Sequence, residues 1–528
     1  MSRHGMQVLV RRALQSASSS RSASVTGSLP KHFLQARHSS AKPAAQGAAS
    51  QDASASSTAD HRAIGKAQSL FLTHDSSPGT PFVLPHGMRL ARKVERVVRD
   101  LYDVYGYDEV QSPQLYKTSL WKRSGHWDNY RDDMFAAEGY KERLARTSVP
   151  ASSVDDRSAC CSIHAETEVE DETFGLKPMN CPGHCVIFAS QERSYRDLPI
   201  RYAEFSPLHR NEASGALTGL TRVRRFHQDD AHVFCTPDQV EAEIDAMLQM
   251  LTSAYDTFGF AAFELVLSTR PHDAFIGSVQ EWERAEAGLR EALDKSGRKW
   301  ELNEGDGAFY GPKIDIRLVD GQGRRHQTAT IQLDFQLPRR FELSYADPNA
   351  TQTGERSTPV MIHRAILGSV ERFMAILIEQ TAGWWPFWLS PRQAIVLPAK
   401  TGSAELDAYA ARIAKYLSLG IHPDAEASQS SERHLQRFYV DVEANPQGEK
   451  LGKLVRKAQL ARYNYILVVG EREMQTQTVT VRKRDDSNAP KNLTASTTPA
   501  AADAIANNAQ IPITELRRIF CQLDSSHA

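Results

Sequence analysis

A chain of 528 residues is long enough for two or three domains. Its 63 Lys and Arg nearly balance 64 Asp and Glu, which excludes a generally basic nucleic-acid-binding protein and leaves only local basic patches for RNA contact. Six cysteines without regular spacing indicate a reducing compartment. No apolar run approaches the roughly 18 residues of a membrane-spanning helix, so we expect no membrane partner.

The N-terminal 51 residues contain no Asp or Glu, carry scattered Lys and Arg, and are rich in Ser and Ala. This composition predicts a mitochondrial transit peptide or disordered segment over 1–60 and, with import, a location in the mitochondrial matrix. A polar tail without a targeting role is the alternative. A secretory signal is disfavoured, because Arg11 and Arg12 interrupt the apolar run that it requires.

Residues 89–105 have apolar side chains at helical spacing and predict an amphipathic helix, after which GYDEVQSP (106–113) predicts a short strand. Residues 141–171 are polar and acidic and predict a loop insertion. Cys160, Cys161 and His164 lie inside that loop, in a context without predicted structure, so we do not interpret them as a metal cluster.

Residues 200–235 predict two strands joined by the loop NEASGALTG (211–219), whose Gly and Ser favour a turn. Further on, GSVERF (368–373) opens an apolar helix, and its pattern predicts burial on one face. That face consists of Val370, Phe373, Met374, Leu377 and Ile378. Arg372 lies among these residues, and a guanidinium that faces inward needs an anionic partner.

After residue 391 short apolar strands alternate with helical segments, in the order QAIVLPAK, an amphipathic stretch at 404–418, YNYILVVGERE and TVTVRKR. This alternation predicts a small α/β domain over 391–528. The polar, Ala- and Asn-rich segment 485–509 predicts a surface loop within it.

Three residues suited to zinc lie in stretches that resemble an enzyme core: Cys181 in KPMNCPGH, His232 in RVRRFHQDDAH and His363 in PVMIHRAIL. One thiolate and two imidazoles form a three-ligand set that leaves a fourth coordination position open. A single histidine is more often a hydrogen-bonded core or surface residue, so this prediction depends on the surrounding motifs. Cys185 competes with Cys181, since two residues four positions apart share a helix face.

Those motifs resemble a known family. HRNE with RVRRFHQDDAH, and GSVER, resemble motifs 2 and 3 of class II aminoacyl-tRNA synthetases, GYDEVQSP resembles motif 1, and KPMNCPGH resembles the threonyl-tRNA synthetases. Further matches are SGHWDNYRDDMF, GAFYGPKIDI and TIQLDFQLPRRFEL. The resemblance implies an α+β class II catalytic domain, an antiparallel sheet with helices, over 61–390. It implies an α/β anticodon-binding domain over 391–528.

The resemblance implies an enzyme, a threonine–tRNA ligase, that activates L-threonine with ATP and transfers it from threonyl-adenylate to mitochondrial tRNA(Thr). It also implies a homodimer, with Zn²⁺ and Mg²⁺ as cofactors. Arg210 matches the arginine that bridges the carboxylate and the α-phosphate, and Arg372 matches the arginine on the γ-phosphate, so these two are the expected catalytic residues. The guanidinium fork suits both anions.

The remaining site residues carry over position by position. The ATP-binding positions are Arg210, Glu212, Arg222, Phe226, Gln327 and Arg372. The threonine-binding positions are Gln228, Asp230, Tyr310 and Gln332, and the metal ligands are Cys181, His232 and His363. Glu473 and Arg482 match anticodon-reading positions, and their side chains suit the edges of unstacked loop bases.

Departures and alternatives accompany the resemblance. Arg225 and His227 stand where the commonest family pattern has Gly and Thr. Only a few residues separate the predicted transit peptide from the catalytic region, as expected of a shortened mitochondrial form without an editing domain. The alternatives are a non-catalytic paralogue with a binding or regulatory role, a synthetase for proline or serine, and a zinc hydrolase, which would require a base beside the metal.

Overall fold

The computed structural model describes residues 59–139, 173–260, 263–273, 275–319, 324–348, 356–400, 402–420, 437–443, 448–490 and 505–527. Residues 1–58 of the predicted transit peptide and the loop insertion at 141–171, with its two cysteines and histidine, lie outside these residues. Among the described helices, none has the length and apolar character that a membrane crossing requires.

The helices alternate with strands along the chain. They are α1 His61–Ala67, α2 Pro85–Tyr105, α3 Thr118–Ser124, α4 His126–Tyr130, α5 Cys181–Ala189, α6 Val240–Thr257, α7 Val279–Lys295, α8 Gln336–Arg340, α9 Val370–Thr381, α10 Ala404–Leu419, α11 Leu451–Leu460, α12 Glu471–Thr476 and α13 Ile513–Ser525. Short 3₁₀ turns occupy Arg131–Asp133, Ser214–Ala216 and Pro237–Gln239.

The strands are numbered in chain order, and most of them belong to two larger sheets. They are β1 Phe71–Leu72, β2 Phe82–Val83, β3 Asp108–Glu109, β4 Leu115–Lys117, β5 Ala136–Ala137, β6 Phe174–Leu176, β7 Arg193–Ser194, β8 Ile200–His209, β9 Arg225–Cys235, β10 Phe263–Ser268, β11 Trp300–Asn303, β12 Lys313–Val319, β13 Arg325–Asp334, β14 Tyr345–Ala346, β15 Arg356–Ser357, β16 Val360–Ala365, β17 Ala394–Pro398, β18 Val440–Val442, β19 Tyr465–Val469, β20 Thr478–Lys483 and β21 Ala509–Pro512.

The larger sheet has eight strands in the order β11-β10-β12-β13-β16-β9-β8-β3. Its inner neighbours are antiparallel, whereas β11 and β3 run parallel to their partners at the two edges. The two strands predicted within 200–235 are β8 and β9, which pair along ten residues of each. The predicted α+β arrangement of an antiparallel sheet with helices is confirmed.

The helix predicted at 89–105 begins four residues earlier, because Pro85 suits the first turn, where its missing N–H is no loss. It ends at Gly106, whose φ of 71° provides a left-handed cap. Leu90, Val94 and Val98 are fully buried, and burial stabilises each such side chain by roughly 1.5–3 kcal/mol.

The five residues predicted to be buried on α9 are all buried, but burial is not confined to one face of the helix. Ten of its residues are buried, including Glu371 and Gln380. The helix lies between α1, α2 and β9, so neighbours cover it on several sides. Arg372 and Glu379 are the half-buried exceptions. An inward cation and an inward carboxylate on an enclosed helix require charged partners.

The C-terminal region has a second sheet in the order β18-β17-β19-β20-β21, with a separate apolar core. β17 runs parallel to β18 and β19. Helices α10 and α11 pack against β17, and α13 packs against β21 and α10. The prediction of a surface loop over 485–509 is wrong at its C-terminal end. Ile505 is fully buried in this core and Ala509 begins β21. The domain boundary at residue 391 stays a prediction.

Strand register places one row of polar side chains across the larger sheet. Lys313 pairs with Gln332, Gln332 with His363, His363 with His232, and His232 with Tyr202. Directly paired residues of antiparallel strands share a face. The row therefore brings residues from five strands to one face of the sheet.

Candidate active site

The Cys-His-His cluster, formed by Cys181, His232 and His363, is assembled from three elements. Cys181 is the first residue of α5, His232 lies on β9 and His363 faces it from β16. One potential ligand atom from each side chain lies within 4.8 Å of the others, and all three residues are buried. The structure therefore brings the predicted metal ligands together.

Neighbouring groups orient the two imidazoles. His363 Nε2 is 2.9 Å from Asp334 Oδ2, so this nitrogen donates its proton to the carboxylate and Nδ1 keeps a lone pair. His232 Nδ1 is 2.8 Å from His184 Nδ1, which leaves His232 Nε2 directed at His363 Nδ1 across 3.0 Å. Two nitrogens aimed at one point are the arrangement that a shared cation requires.

This donor set fits zinc. Two nitrogens at about 2.0–2.1 Å from a tetrahedral zinc stand about 3.3 Å apart, close to the separation of the histidine nitrogens. Burial, with Asp230, Cys185 and Asp334 nearby, raises the pKa of the Cys181 thiol. Burial also lowers the pKa of His232. A neutral imidazole is ready to coordinate, and a bound cation would stabilise the thiolate.

The alternative ligand Cys185 points elsewhere. Its Sγ is 3.8 Å from Met361 Sδ, in an apolar cluster with Phe188 and Phe234. Helical spacing places Cys181 and Cys185 on one side of α5, but only Cys181 groups with the histidines. Cys185 is therefore a core residue in this fold.

A buried polar network that the sequence analysis did not identify lies behind His232. His184 Nε2 is 3.1 Å from Glu204 Oε2, and Lys177 Nζ is 2.8 Å from Glu204 Oε1. Burial alone would raise the pKa of Glu204, but hydrogen bonds from His184, Lys177, Ser206 and the Ser112 N–H hold it at about 2. The His184 in KPMNCPGH was an available signal, whereas Glu204 required the register of β8.

A cavity of about 400 Å³ adjoins the cluster, and we call it the arginine-lined cavity. Every predicted ATP-binding residue lines it, and Gln228 and Gln332 of the threonine set line it as well. The full lining is Arg210, Glu212, Thr221, Arg222, Val223, Phe226, Gln228, Lys313, Asp315, Gln327, Thr328, Ala329, Thr330, Gln332, Gly368, Ser369 and Arg372. Lys313 and Asp315 were not predicted.

The charges of the arginine-lined cavity suit an anion. Burial, together with the nearby Arg222, lowers the pKa of Arg372, and within the described residues its buried Nε has no hydrogen-bond partner. Arg210 lies over the Phe226 ring with its guanidinium carbon 5.0 Å from the centroid. Arg222 is held by Glu212, with Nη2 2.7 Å from Oε2. An anion bound here would pair the unsatisfied Arg372.

Gln327 is engaged beside these arginines. Its Nε2 donates to Asp315 Oδ1 over 2.8 Å, and Lys313 Nζ is 2.9 Å from Asp315 Oδ2. Asp315 also accepts from Ser268 Oγ. Lys313 belongs to GAFYGPKIDI, so the motif was visible in the sequence although its charge pair was not.

Three of the four predicted threonine-binding residues, Tyr310, Gln332 and Asp230, lie beside the two histidines, whereas Gln228 lines the arginine-lined cavity. The Tyr310 hydroxyl donates to Gln332 Oε1, and the Tyr310 ring centroid is 5.3 Å from that of His363. Asp230 Oδ1 is 3.8 Å from His232 Nε2, and Asn180 Nδ2 donates to Asp230 Oδ2 over 3.0 Å. Burial raises the pKa of Asp230.

The two positions that depart from the family pattern have another role. His227 Nδ1 is 2.8 Å from Glu371 Oε1, and the His227 N–H donates to Glu371 Oε2. Arg225 Nη2 is 3.4 Å from His227 Nε2. Neither residue is part of the cavity lining. His227 joins β9 to α9 through Glu371, and Arg225 lies against His227.

The two predicted tRNA-binding residues lie in the C-terminal sheet region. Glu473 Oε2 accepts from the Gly470 N–H and Oε1 from Thr480 Oγ1, so the carboxylate caps α12 and holds β20. Arg482 is on β20, opposite Ile466, and in the described part of the chain its buried Nε lacks a hydrogen-bond partner. Arg482 is the better placed of the two to accept a new partner.

Comparisons with known proteins identify two regions of the chain. Residues 164–381 match the family model of the class II tRNA synthetase core domain (G, H, P, S and T), and residues 393–496 match the anticodon binding domain. The fold and the site thus define a class II aminoacyl-tRNA synthetase.

A Schizosaccharomyces pombe protein described as a probable mitochondrial threonine–tRNA ligase is 46% identical over 432 residues, 81% of this chain and 85% of the relative. The cytoplasmic threonine–tRNA ligase of Saccharomyces cerevisiae is 48% identical over 81% of this chain and 51% of its own length. A solved threonyl-tRNA synthetase RNA-binding domain structure from Cryptosporidium parvum superposes with a TM-score of 0.70 at 42% identity, covering 88% of this chain and 98% of that one. The chain belongs to the threonyl-tRNA synthetase family, whose members are enzymes, and it spans about half the length of its cytoplasmic relatives.

Proposed function

We propose that the chain activates L-threonine with ATP to threonyl-adenylate and transfers the threonyl group to tRNA(Thr). The observation that carries this proposal is the position of the Cys-His-His cluster beside the arginine-lined cavity. One compartment suits a small polar amino acid, and its neighbour suits a polyphosphate. The family relationship supports the same reaction.

Activation joins two anions. The amino-acid carboxylate attacks the α-phosphorus of ATP, and pyrophosphate leaves while charge builds on the phosphoryl oxygens. Arg210 is proposed to hold the carboxylate and the α-phosphate together, and Arg372 to hold the γ-phosphate. Arg372 is supported by its buried Nε, which has no hydrogen-bond partner among the residues that the structure describes and which an ATP oxygen would satisfy. Mg²⁺ bound with ATP neutralises further phosphate charge.

Adenine recognition is proposed for Glu212 and Phe226. The Phe226 ring provides a stacking surface, already covered on one side by Arg210. Glu212 is paired with Arg222, so ATP would share or replace that ion pair. Gln327 contributes a further ATP contact from β13.

Zn²⁺ held by Cys181, His232 and His363 would supply an open coordination position to the amino and hydroxyl groups of threonine. Asp230 is proposed to accept from the hydroxyl, and Gln228, Tyr310 and Gln332 to line the pocket. Valine has the shape of threonine without the hydroxyl, so it leaves these polar groups unpaired and is rejected strongly. Serine lacks only a methyl group, which provides roughly 1–3 kcal/mol of discrimination.

The working protein is proposed to be a homodimer in the mitochondrial matrix. β3 is the last strand of the larger sheet, so one of its edges is available to another chain, as the resemblance to motif 1 implies. The absence of acidic residues from positions 1–51 supports import, as does the mitochondrial S. pombe relative. Light scattering tests the dimer, and import of a fluorescent fusion to residues 1–60 tests the location.

Amino-acid-dependent ATP–pyrophosphate exchange tests the reaction, with threonine, serine, valine and proline compared at equal concentration. We expect robust exchange with threonine, measurable exchange with serine and almost none with valine or proline. If valine supported exchange as fast as serine, zinc could not be the group that selects threonine. Absence of exchange with any amino acid would favour the non-catalytic paralogue instead.

A further inference from the structure

The side chain of His61 lies between two parts of the proposed ATP site. His61 begins α1 and is only 4% exposed. Its Nδ1 is 2.6 Å from Glu379 Oε1 on α9, and its Nε2 accepts the Leu220 backbone N–H over 3.2 Å. Because Leu220 donates, Nε2 carries the lone pair and Nδ1 carries the proton given to Glu379. The imidazole therefore has one tautomer and two fixed partners.

Leu220 belongs to the β8–β9 loop, residues 210–224, which supplies much of the arginine-lined cavity. The next two residues, Thr221 and Arg222, line that cavity. Gly219 also backs onto the imidazole, since a Cβ there would stand 2.1 Å from His61 Nε2, and its φ is +50°. The turn thus approaches His61 as closely as glycine permits.

A metal site is a poorer explanation of the same residues. Asp60, His61 and Glu379 offer ligand atoms within 4.8 Å of one another. However, Asp60 accepts from the Arg62 N–H and guanidinium, and Glu379 Oε2 accepts from Arg324 Nη2 over 2.6 Å. Both carboxylates are already neutralised by cations, so the cluster anchors protein segments.

The anchoring of α1 does not depend on His61 alone. Gln68, at the C-terminal end of α1, donates to the Gly383 carbonyl over 2.8 Å and accepts from Trp385 Nε1 over 2.8 Å. These bonds hold α1 against the end of α9 without touching the β8–β9 loop. Contacts other than those of His61 therefore also dock α1.

We propose that His61 is a positioning residue for ATP binding: it ties the return turn of the β8–β9 loop to α9, and so places Arg222 and its neighbours against the nucleotide. The inference deepens the proposed function and rests on the cavity being the ATP site. α9 also carries Arg372, so the His61 imidazole connects the segment that bears Arg222 with the segment that bears Arg372.

Three substitutions of His61 separate the two hydrogen bonds. His61→Gln can place its amide oxygen near the position of Nε2, His61→Asn reaches only the position of Nδ1, and His61→Ala removes both. We expect Ala and Asn to raise the KM for ATP about tenfold, because a buried N–H loses its acceptor, with the KM for threonine changed less than about twofold. Gln should remain close to the parent chain, because it keeps an acceptor for Leu220 while the backbone N–H of residue 61, which donates to Glu379 Oε1 over 3.3 Å, keeps the link to α9.

Gln68→Ala is the matched control, since it weakens the docking of α1 but leaves the loop contact. This substitution should lower the midpoint temperature of thermal unfolding. Any change in the KM for ATP should be matched by a similar change in the KM for threonine. A parallel change of both KM values in the His61 and Gln68 variants would mean that His61 has only a structural role, and would overturn the proposal. An unaffected His61→Ala, or a Gln variant as defective as Ala, would also overturn it.

Gly219→Ala provides a second measurement. In the parent chain the added Cβ stands 2.1 Å from His61 Nε2, whereas in His61→Ala its nearest neighbour is Cγ of the flexible Arg62 side chain at 3.0 Å, so the fold-increase in KM for ATP should be smaller in the second background. Equal fold-increases in the KM for ATP in both backgrounds would contradict a contact between residue 219 and the His61 side chain. Calorimetric titration with ATP alone, without an amino acid, measures the ATP affinity of the same variants. It gives a result even if threonine is not the substrate, so a failure of the proposed function can be told apart from a failure of the His61 proposal.

Discussion

Replacing Glu204 with glutamine should destabilise the catalytic region by roughly 3–5 kcal/mol, the cost of leaving one partner of a buried ion pair uncompensated. Glu204 and Lys177 are 1% and 0% exposed, and their charged atoms are 2.8 Å apart. Urea unfolding followed by tryptophan fluorescence, on metal-free protein at pH 7, measures the change. Glu291→Gln is the control: the side chains of its ion pair with Lys295 are 62% and 55% exposed, so its loss should change the stability far less than the loss of Glu204.

The difference in stability between the parent chain and Glu204→Gln depends on pH. The pKa of Glu204 is held at about 2 in the folded chain, against an ordinary 4.5, so its stabilisation is complete above about pH 5 and is lost as the pH falls toward 2. This shift corresponds to roughly 3 kcal/mol at pH 7 and roughly 1.4 kcal/mol at pH 3. The gap between the parent chain and Glu204→Gln should therefore narrow by roughly 2 kcal/mol between these pH values. A gap that is absent at pH 7, or unchanged at pH 3, would refute the reasoning.

Three further outcomes follow from the proposed site. Metal analysis should find about one zinc per chain, and Cys181→Ser should lose both the metal and threonine activation, whereas full activity after complete demetallation would contradict the zinc proposal. Arg210→Ala and Arg372→Ala should each lower pyrophosphate exchange by roughly 10²–10³ with an unchanged circular dichroism spectrum, and near-normal exchange would reject the role of that arginine. Arg482→Ala should weaken tRNA charging and leave exchange intact; charging at the parent rate would place anticodon reading elsewhere.

Local sequence patterns predicted several parts of the fold because their causes are local. Helical spacing of apolar residues marked α2, and Pro85 and Gly106 explain its ends. The alternation in QDDAH places Asp230 and His232 on one face of β9 whatever that strand packs against. Roles such as ATP contact came from resemblance to a family and not from these patterns.

Contacts between distant residues required the tertiary structure. Helical spacing left Cys181 and Cys185 equivalent as ligands, and the direction of α5 toward the sheet separated them. His61 carried no signal, because its two partners lie 159 and 318 residues away. The same holds for Glu204, a carboxylate in a strand whose partners became known only with the strand register.

The sequence alone determined the order and type of many elements, the family and the candidate ligands, because backbone propensity, side-chain periodicity and motif chemistry are properties of short segments. Tertiary structure decided which of those chemical groups meet. The pairing of β9 with β16 sets His232 against His363, and the burial of α9 leaves Arg372 Nε without a hydrogen-bond partner among the described residues. Register and burial depend on how distant segments pack, since a one-residue shift between two strands would turn the same side chains to opposite faces.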